Sequence, residues 1–101
     1  PEPVEPPGRS VRRNEPASRY ELVEDGVVIG VADFHVRAGD GAVVLPHTVI
    51  EPSRRGQDLG AELVAGVLDD VRSAGGRIVP ACWYVGEFLD ANPDYRDLVA
   101  P

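Results

Sequence analysis

The sequence predicts one small domain of mixed α/β class, with elements in the order β-β-β-α-β-α. Three observations predict it. Alternating and β-branched runs separated by turn residues fill positions 19–50. A stripe of apolar residues four apart then runs from Leu59 to Val71. A strand–helix–strand succession around that stripe makes its two flanking strands parallel neighbours.

Each element has its own local reason. Residues 1–18 hold four prolines in the first seven positions and few apolar side chains, so they read as a flexible tail. Arg12 and Arg13 in it would be solvated or would meet anions. The domain proper is expected over 19–101. Arg19–Glu24 alternates, with Tyr20 and Leu22 on one face. Asp25-Gly26 joins it to Val27–Val36 as a hairpin, because the tight turn needs positive φ at both central residues. After the turn Ala38-Gly39-Asp40-Gly41, a third strand covers 42–50. Pro46 lies inside that strand and donates no ladder hydrogen bond, so the strand must be edge-placed, bulged or splayed there.

The polar loop 51–58 precedes a helix over about 58–73. Asp58 suits its N-cap and Gly75-Gly76 its end. Leu59, Leu63, Val67 and Val71 form the stripe, widened by Val64 and Leu68. A fourth strand is expected over 77–84, interrupted by Pro80. A short helix over 85–91 ends at Asn92-Pro93, and a last turn covers 95–99.

The chain has 101 residues, enough for one domain and too few for two. Its hydrophobic fraction of 43% argues against wholesale disorder. The net charge is −7, and all the basic residues are arginine. An acidic domain lacks the broad positive field that draws nucleic acid, so that partner is disfavoured. Acidity suits either plain solubility or a cationic acceptor. The single cysteine, Cys82, forms no internal disulfide. Cys82, His35 and His47 are too scattered to resemble a metal site. No apolar run approaches the length of a membrane span, and the Pro- and Glu-rich start does not read as a signal peptide. The expectation is a cytoplasmic protein, monomeric or homodimeric, without membrane or nucleic-acid partners.

The chemistry concentrates at the join from the third strand to the long helix. A helix N-terminus presents unpaired N–H groups and partial positive charge, which suits phosphate. Arg54 and Arg55 add full charges there. The alternative is a surface loop with solvated arginines.

Four segments in order carry a resemblance: His47-Thr48-Val49-Ile50-Glu51-Pro52, Arg55-Gly56-Gln57-Asp58-Leu59-Gly60, Val79-Pro80-Ala81-Cys82-Trp83-Tyr84 and Asn92-Pro93-Asp94-Tyr95. From about Tyr20 to Val99 the chain resembles the GNAT superfamily of acetyl-CoA-dependent acetyltransferases, in its minimal form. The resemblance implies acetyl-CoA as co-substrate, an amine acceptor and no metal. The superfamily's phosphate loop reads Arg or Gln, two free positions, Gly, one free position, then Gly or Ala. Arg55 and Gly60 fill its ends, and Asp58 stands in place of the middle glycine. The carboxylate would compete for the loop amides and repel phosphate. The resemblance also implies that the third and fourth strands splay, with the pantetheine arm pairing to backbone near Val49 and Ile50. Pro46 and Pro80 fit such a break, or mark strand ends.

By the same resemblance His47 and Cys82 form a polar pair facing the acetyl group. In direct transfer His47 takes the amine's proton. In a two-step route Cys82 is acetylated first, with His47 lowering its pKa. Direct transfer is favoured as the superfamily's usual chemistry, and Cys82 can equally be a small buried hydrophobe. Glu51 is a base acting through water or a solvated carboxylate. Asn92 and Tyr95 fall where the superfamily's last helix nears the cofactor arm. Tyr95 protonates the leaving thiolate or packs on the core. Of Trp83 and Tyr84, one packs and the other lines the acceptor pocket. Two functions follow: an N-acetyltransferase acting on a small-molecule or protein amine, or a non-catalytic acyl-CoA-binding or protein-interaction module on the same fold.

Overall fold

The computed structural model describes residues 8–101. The order of elements is β1 (Arg9–Asn14), β2 (Arg19–Glu24), β3 (Val27–Val36), β4 (Val43–Ile50), α1 (Leu59–Ser73), β5 (Ile78–Val79) and α2 (Trp83–Ala91). Short 3-10 turns, Pro52–Arg54 and Pro93–Leu98, precede α1 and follow α2. The five strands form one mixed sheet in sequence order, antiparallel from β1 to β4 and parallel between β4 and β5.

The hairpin at Asp25-Gly26 forms as its residues require, with φ of 50° and 82°. One face of the sheet packs on α1 through Tyr20, Leu22, Ala32, Phe34 and Leu45. The facing stripe Leu63, Val64, Val67, Leu68 and Val71 is buried throughout. At the end of α1, Gly75 takes φ 73°, its N–H bonds Arg72 O, and the Gly76 N–H bonds Val71 O. These two bonds are the Schellman closure that the Gly-Gly pair suits.

Two expectations are corrected. Residues 1–7 of the expected tail lie outside the described residues, but Arg9–Asn14 is an edge strand, in register with all of β2. Composition understates it because the helix contacts that anchor it, at Glu62 and Gly66, are distant. A Cβ on Gly66 of α1 would stand 2.4 Å from Val11, so strand and helix touch there. Arg9 bonds Glu62 on α1, and Arg13 lies over the Phe34 ring at 4.8 Å. Arg12, Arg19 and Asn14 all donate to Glu21, whose side chain is 2% exposed. Those three donors, Arg12 foremost, hold the Glu21 carboxyl down at about 2.

The second correction concerns 77–84. Only Ile78–Val79 is strand, and Trp83 and Tyr84 open α2 rather than closing the strand. Ile78 is paired on both sides, to Val43 of β4 and to Val99 near the C-terminus. Pro80 then ends the ladder, and the chain turns through the bond from Ala81 N–H to Val79 O.

Candidate active site

The parallel pair β4–β5 is joined only at its start. Val43 and Val44 pair with Ile78 and Val79, and the Cys82 N–H bonds Leu45 O at 2.9 Å. Beyond that bond β4 continues alone on this side. The β3–β4 register shifts between Asp33/His35, opposite Pro46, so the proline occupies a bulge. On the far side of the bulge Glu51 N–H bonds Ile29 O, which fixes the phase of the antiparallel ladder. Residues 47 and 49 then turn their backbone groups to β3, and Thr48 and Ile50 turn theirs to the open side. Ile50 O there accepts from Arg55 Nε at 3.3 Å.

A cleft of about 410 Å³ lies along this open edge. Thr48, Val49 and Ile50 form one wall. Arg54, Arg55, Gly56, Asp58, Leu59 and Gly60 form its end, and Trp83 and Tyr84 the opposite wall. The splay sets α2, not a fourth strand, across from β4.

The two arginines of the loop have different surroundings. Arg54 bonds both oxygens of Glu24, a carboxylate also held by Arg9, so its charge is spent on tying the loop to β2. Arg54 and then Arg9 hold the Glu24 carboxyl down at about 2. Arg55 is exposed and has no carboxylate partner among the described residues. It is the cation the cleft can offer to an anion. Gln57 is exposed beside Arg54 and does not line the cleft.

Asp58 precedes α1 as expected, but its role there differs. It takes the left-handed conformation, φ 57° and ψ 22°, and its side chain makes no capping bond. No side chain therefore covers the first-turn amides of α1, which lack helical partners. Gly60 is required by packing: a Cβ there would stand 2.6 Å from the Tyr84 hydroxyl. Burial, and then the charges of Asp58 and Glu87, push the Tyr84 hydroxyl upward. The Thr48 hydroxyl is shielded from solvent and has no hydrogen-bond partner among the described residues.

The remaining candidates stand apart from the cleft lining. His47 is 73% exposed, with Nδ1 3.8 Å from Asp33 Oδ2 directly across on β3. Cys82 is 8% exposed and belongs to the apolar core. No hydrogen bond joins His47 to Cys82 among the described residues. Asn92 donates to Phe88 O at the end of α2. The Tyr95 hydroxyl donates to Asp69 at 2.8 Å, and its ring packs 5.6 Å from that of Phe88. That bond, with burial behind it, raises the Tyr95 hydroxyl. Glu51 is exposed.

A family model described as GCN5-related N-acetyltransferase matches residues 19–98 of this chain. The chain belongs to that family. The match begins at β2 and ends in the turn after α2, so it takes in both walls of the cleft and leaves β1 outside. Membership supports an acetyltransferase-type function in general, and the family generally uses acetyl-CoA. Among the described residues no helix is long and apolar enough to cross a membrane.

Within this family member, residue patterns failed to reveal three things. Glu24 organises the loop from thirty residues away, the separation of the Arg54 bond. Tyr84 faces Gly60 because α2 begins early. Thr48 is the strand residue that turns its backbone to the gap. Pro46 and Pro80 were the signals available for the last two, since the first bulges β4 and the second ends the β4–β5 ladder.

Proposed function

We propose that this chain is an acetyl-CoA-dependent N-acetyltransferase whose cleft holds the diphosphate and pantetheine arm of the co-substrate. One observation carries the reading: the edge of β4 at Thr48 and Ile50, which β5 does not pair, leads to the start of α1, where Arg55 is exposed with no carboxylate partner among the described residues. An extended arm with amides suits the first, and a diphosphate suits the second. The cleft volume falls in the range of small-ligand sites, about 300–1,000 Å³.

Acetyl-CoA supplies an activated acyl thioester. Arg55, the backbone of Gly56 and the amides of Leu59 and Gly60 hold the anionic end. Thr48 to Ile50 align the arm, and Tyr84 excludes water from its other side. Arg54 acts through Glu24 as a positioning residue. His47 is the acceptor's base. Asp33 faces its Nδ1, which leaves Nε2 available for the proton. The amine nitrogen forms the new C–N bond, the C–S bond breaks, and the amine's proton passes by way of His47 to the departing thiolate. The buried, apolar surroundings of Cys82 favour this direct route, because a thiolate nucleophile needs an electropositive and partly exposed place.

Thermal unfolding with and without acetyl-CoA tests the proposal. At one hundred times its dissociation constant a ligand stabilises by about 2.7 kcal/mol. For a domain of this size that raises Tm by roughly 10–20 °C. No shift at millimolar acetyl-CoA would refute the assignment. The second reading, a binding module without turnover, is favoured by Asp58, an acidic residue lining the same end of the cleft. A Tm shift without acetylation of any amine would select it.

A further inference from the structure

Beside Trp83, on the wall of the cleft, α2 carries a carboxylate with no partner among the described residues. Trp83 is 74% exposed, an unusual position for the largest apolar side chain in the chain. Its ring is held edge-on to Tyr84, with centroids 5.8 Å apart, so it is oriented although exposed. Glu87 follows one helical turn later on α2, on the same face. It is exposed and makes no ion pair or hydrogen bond among the described residues. Asp90, the next carboxylate along that face, is occupied by Arg96 at 2.6 Å. Trp83 also follows Cys82 directly, whose N–H bonds Leu45 O just past the paired part of β4 and β5. Trp83 thus stands one residue from the point where the splayed strands meet, and Glu87 one helical turn further on.

Resting on the function proposed above, we infer that Trp83 and Glu87 form a cation subsite, and that the acceptor is an aliphatic di- or polyamine. An indole face with a carboxylate beside it suits an ammonium group. The nitrogen that attacks a thioester must be neutral, since its lone pair forms the C–N bond. An ammonium on Trp83 and Glu87 is therefore a second charge on the acceptor, not the reacting group. One amine is held protonated on the lip while the other, deprotonated by His47, is acetylated. The reaction consumes one amine and one acetyl thioester and yields an amide and a thiol, so no further reactant is required.

Two measurements test the subsite on the full chain. Trp83 is the only tryptophan, so its fluorescence reports on the lip directly. Titrating the free protein with 1,4-diaminobutane at low salt should change that emission saturably. Glu87→Gln should weaken the apparent affinity about three- to fivefold, and Glu87→Asp should retain most of it. Separately, kcat/KM for 1,4-diaminobutane should exceed that for n-butylamine about tenfold, and Glu87→Gln should collapse the ratio towards the statistical factor of about two. A fluorescence response identical in wild type and Glu87→Gln, or a diamine preference that survives the substitution, overturns the subsite. Failure of acetyl-CoA to raise Tm refutes the transferase reading instead, and the titration still decides whether the lip binds a diamine.

Discussion

Replacing Asp58 by glycine should stabilise the protein and tighten acetyl-CoA binding, for two separable reasons. The first is backbone geometry. Asp58 has φ 57° and ψ 22°, where its Cβ crowds the following carbonyl. The strain is about 1 kcal/mol for an aspartate, and roughly half of that is offset by the greater freedom of glycine in the unfolded chain. The net gain of about 0.5 kcal/mol corresponds to a Tm rise of about 2–4 °C. The second reason is charge. A carboxylate about 4 Å from a phosphate oxygen is repelled by about 4 kcal/mol at an effective dielectric of 20. Asp58 is exposed, so screening reduces this to about 1 kcal/mol, or roughly fivefold in Kd. Asp58→Asn separates the two effects, because asparagine tolerates the left-handed region and carries no charge. It should give most of the affinity gain with little change in Tm. Calorimetric titration with acetyl-CoA and thermal unfolding of both variants read the outcome. If Asp58→Gly leaves Kd unchanged or weaker, the carboxylate does not face the diphosphate. If it leaves Tm unchanged, the left-handed residue carries no strain.

Other perturbations have equally definite outcomes. Thr48→Val removes a shielded hydroxyl without a partner, so it should raise the stability of the free protein by about 1 kcal/mol in urea unfolding; a loss would mean the hydroxyl is bonded in solution. Gly66→Ala puts a Cβ 2.4 Å from Val11, so it should cost about 1–3 kcal/mol, and Val11→Ala in the same chain should restore most of it. If the two substitutions are simply additive, β1 does not rest on α1. Glu21 and Glu24 have folded-state values of about 2 against an ordinary 4.5. Their contribution is therefore complete above pH 4.5 and disappears as pH falls through about 2. Tm should drop across that window, and Glu21→Gln should flatten the drop; a dependence the same in both proteins would remove Glu21 from the account.

Much of the fold could be read residue by residue. The hairpin at Asp25-Gly26 and the stripe from Leu59 to Val71 are encoded within a few positions of themselves, and each forms where expected. The end of α1 is equally local, since Gly75 supplies the positive φ its closure needs. The misread segments depend on partners outside their own local pattern. Arg9–Asn14 has only Val11 as an apolar anchor, and becomes a strand because β2, Gly66 and Glu62 receive it. Residues 77–84 are apolar in a way that suits strand or helix alike. Their division at Pro80 is decided by where β4 stops offering hydrogen bonds. At the site, local patterning placed Val49, Ile50 and most of the arginine loop along one cleft. It had no means of separating Arg54 from Arg55, because the difference between them is Glu24, on another element. Nor did it place Asn92 and Tyr95, whose partners Phe88 and Asp69 lie on the helices beneath them.

The contrast between the two arginines bears on how the proposed anion site would be held in place. Two neighbouring cations on a free loop would repel one another and leave the loop's course undefined. Glu24 takes one of them, at the end of the strand that leads into the hairpin. Through Arg9 it is also linked to Glu62 in the first turn of α1. The strand end, the loop and the helix start thereby share one partly buried network, and Arg55 is presented from a fixed base. Preorganisation of this kind reduces the ordering entropy lost on binding. On the proposed function Arg54 would contribute to affinity through Glu24, and Glu24→Gln should mimic the loss of Arg54 more closely than the loss of Arg55. The same reasoning explains why the strand outside the family match, β1, matters to a site it does not touch: it carries the arginine that completes the network.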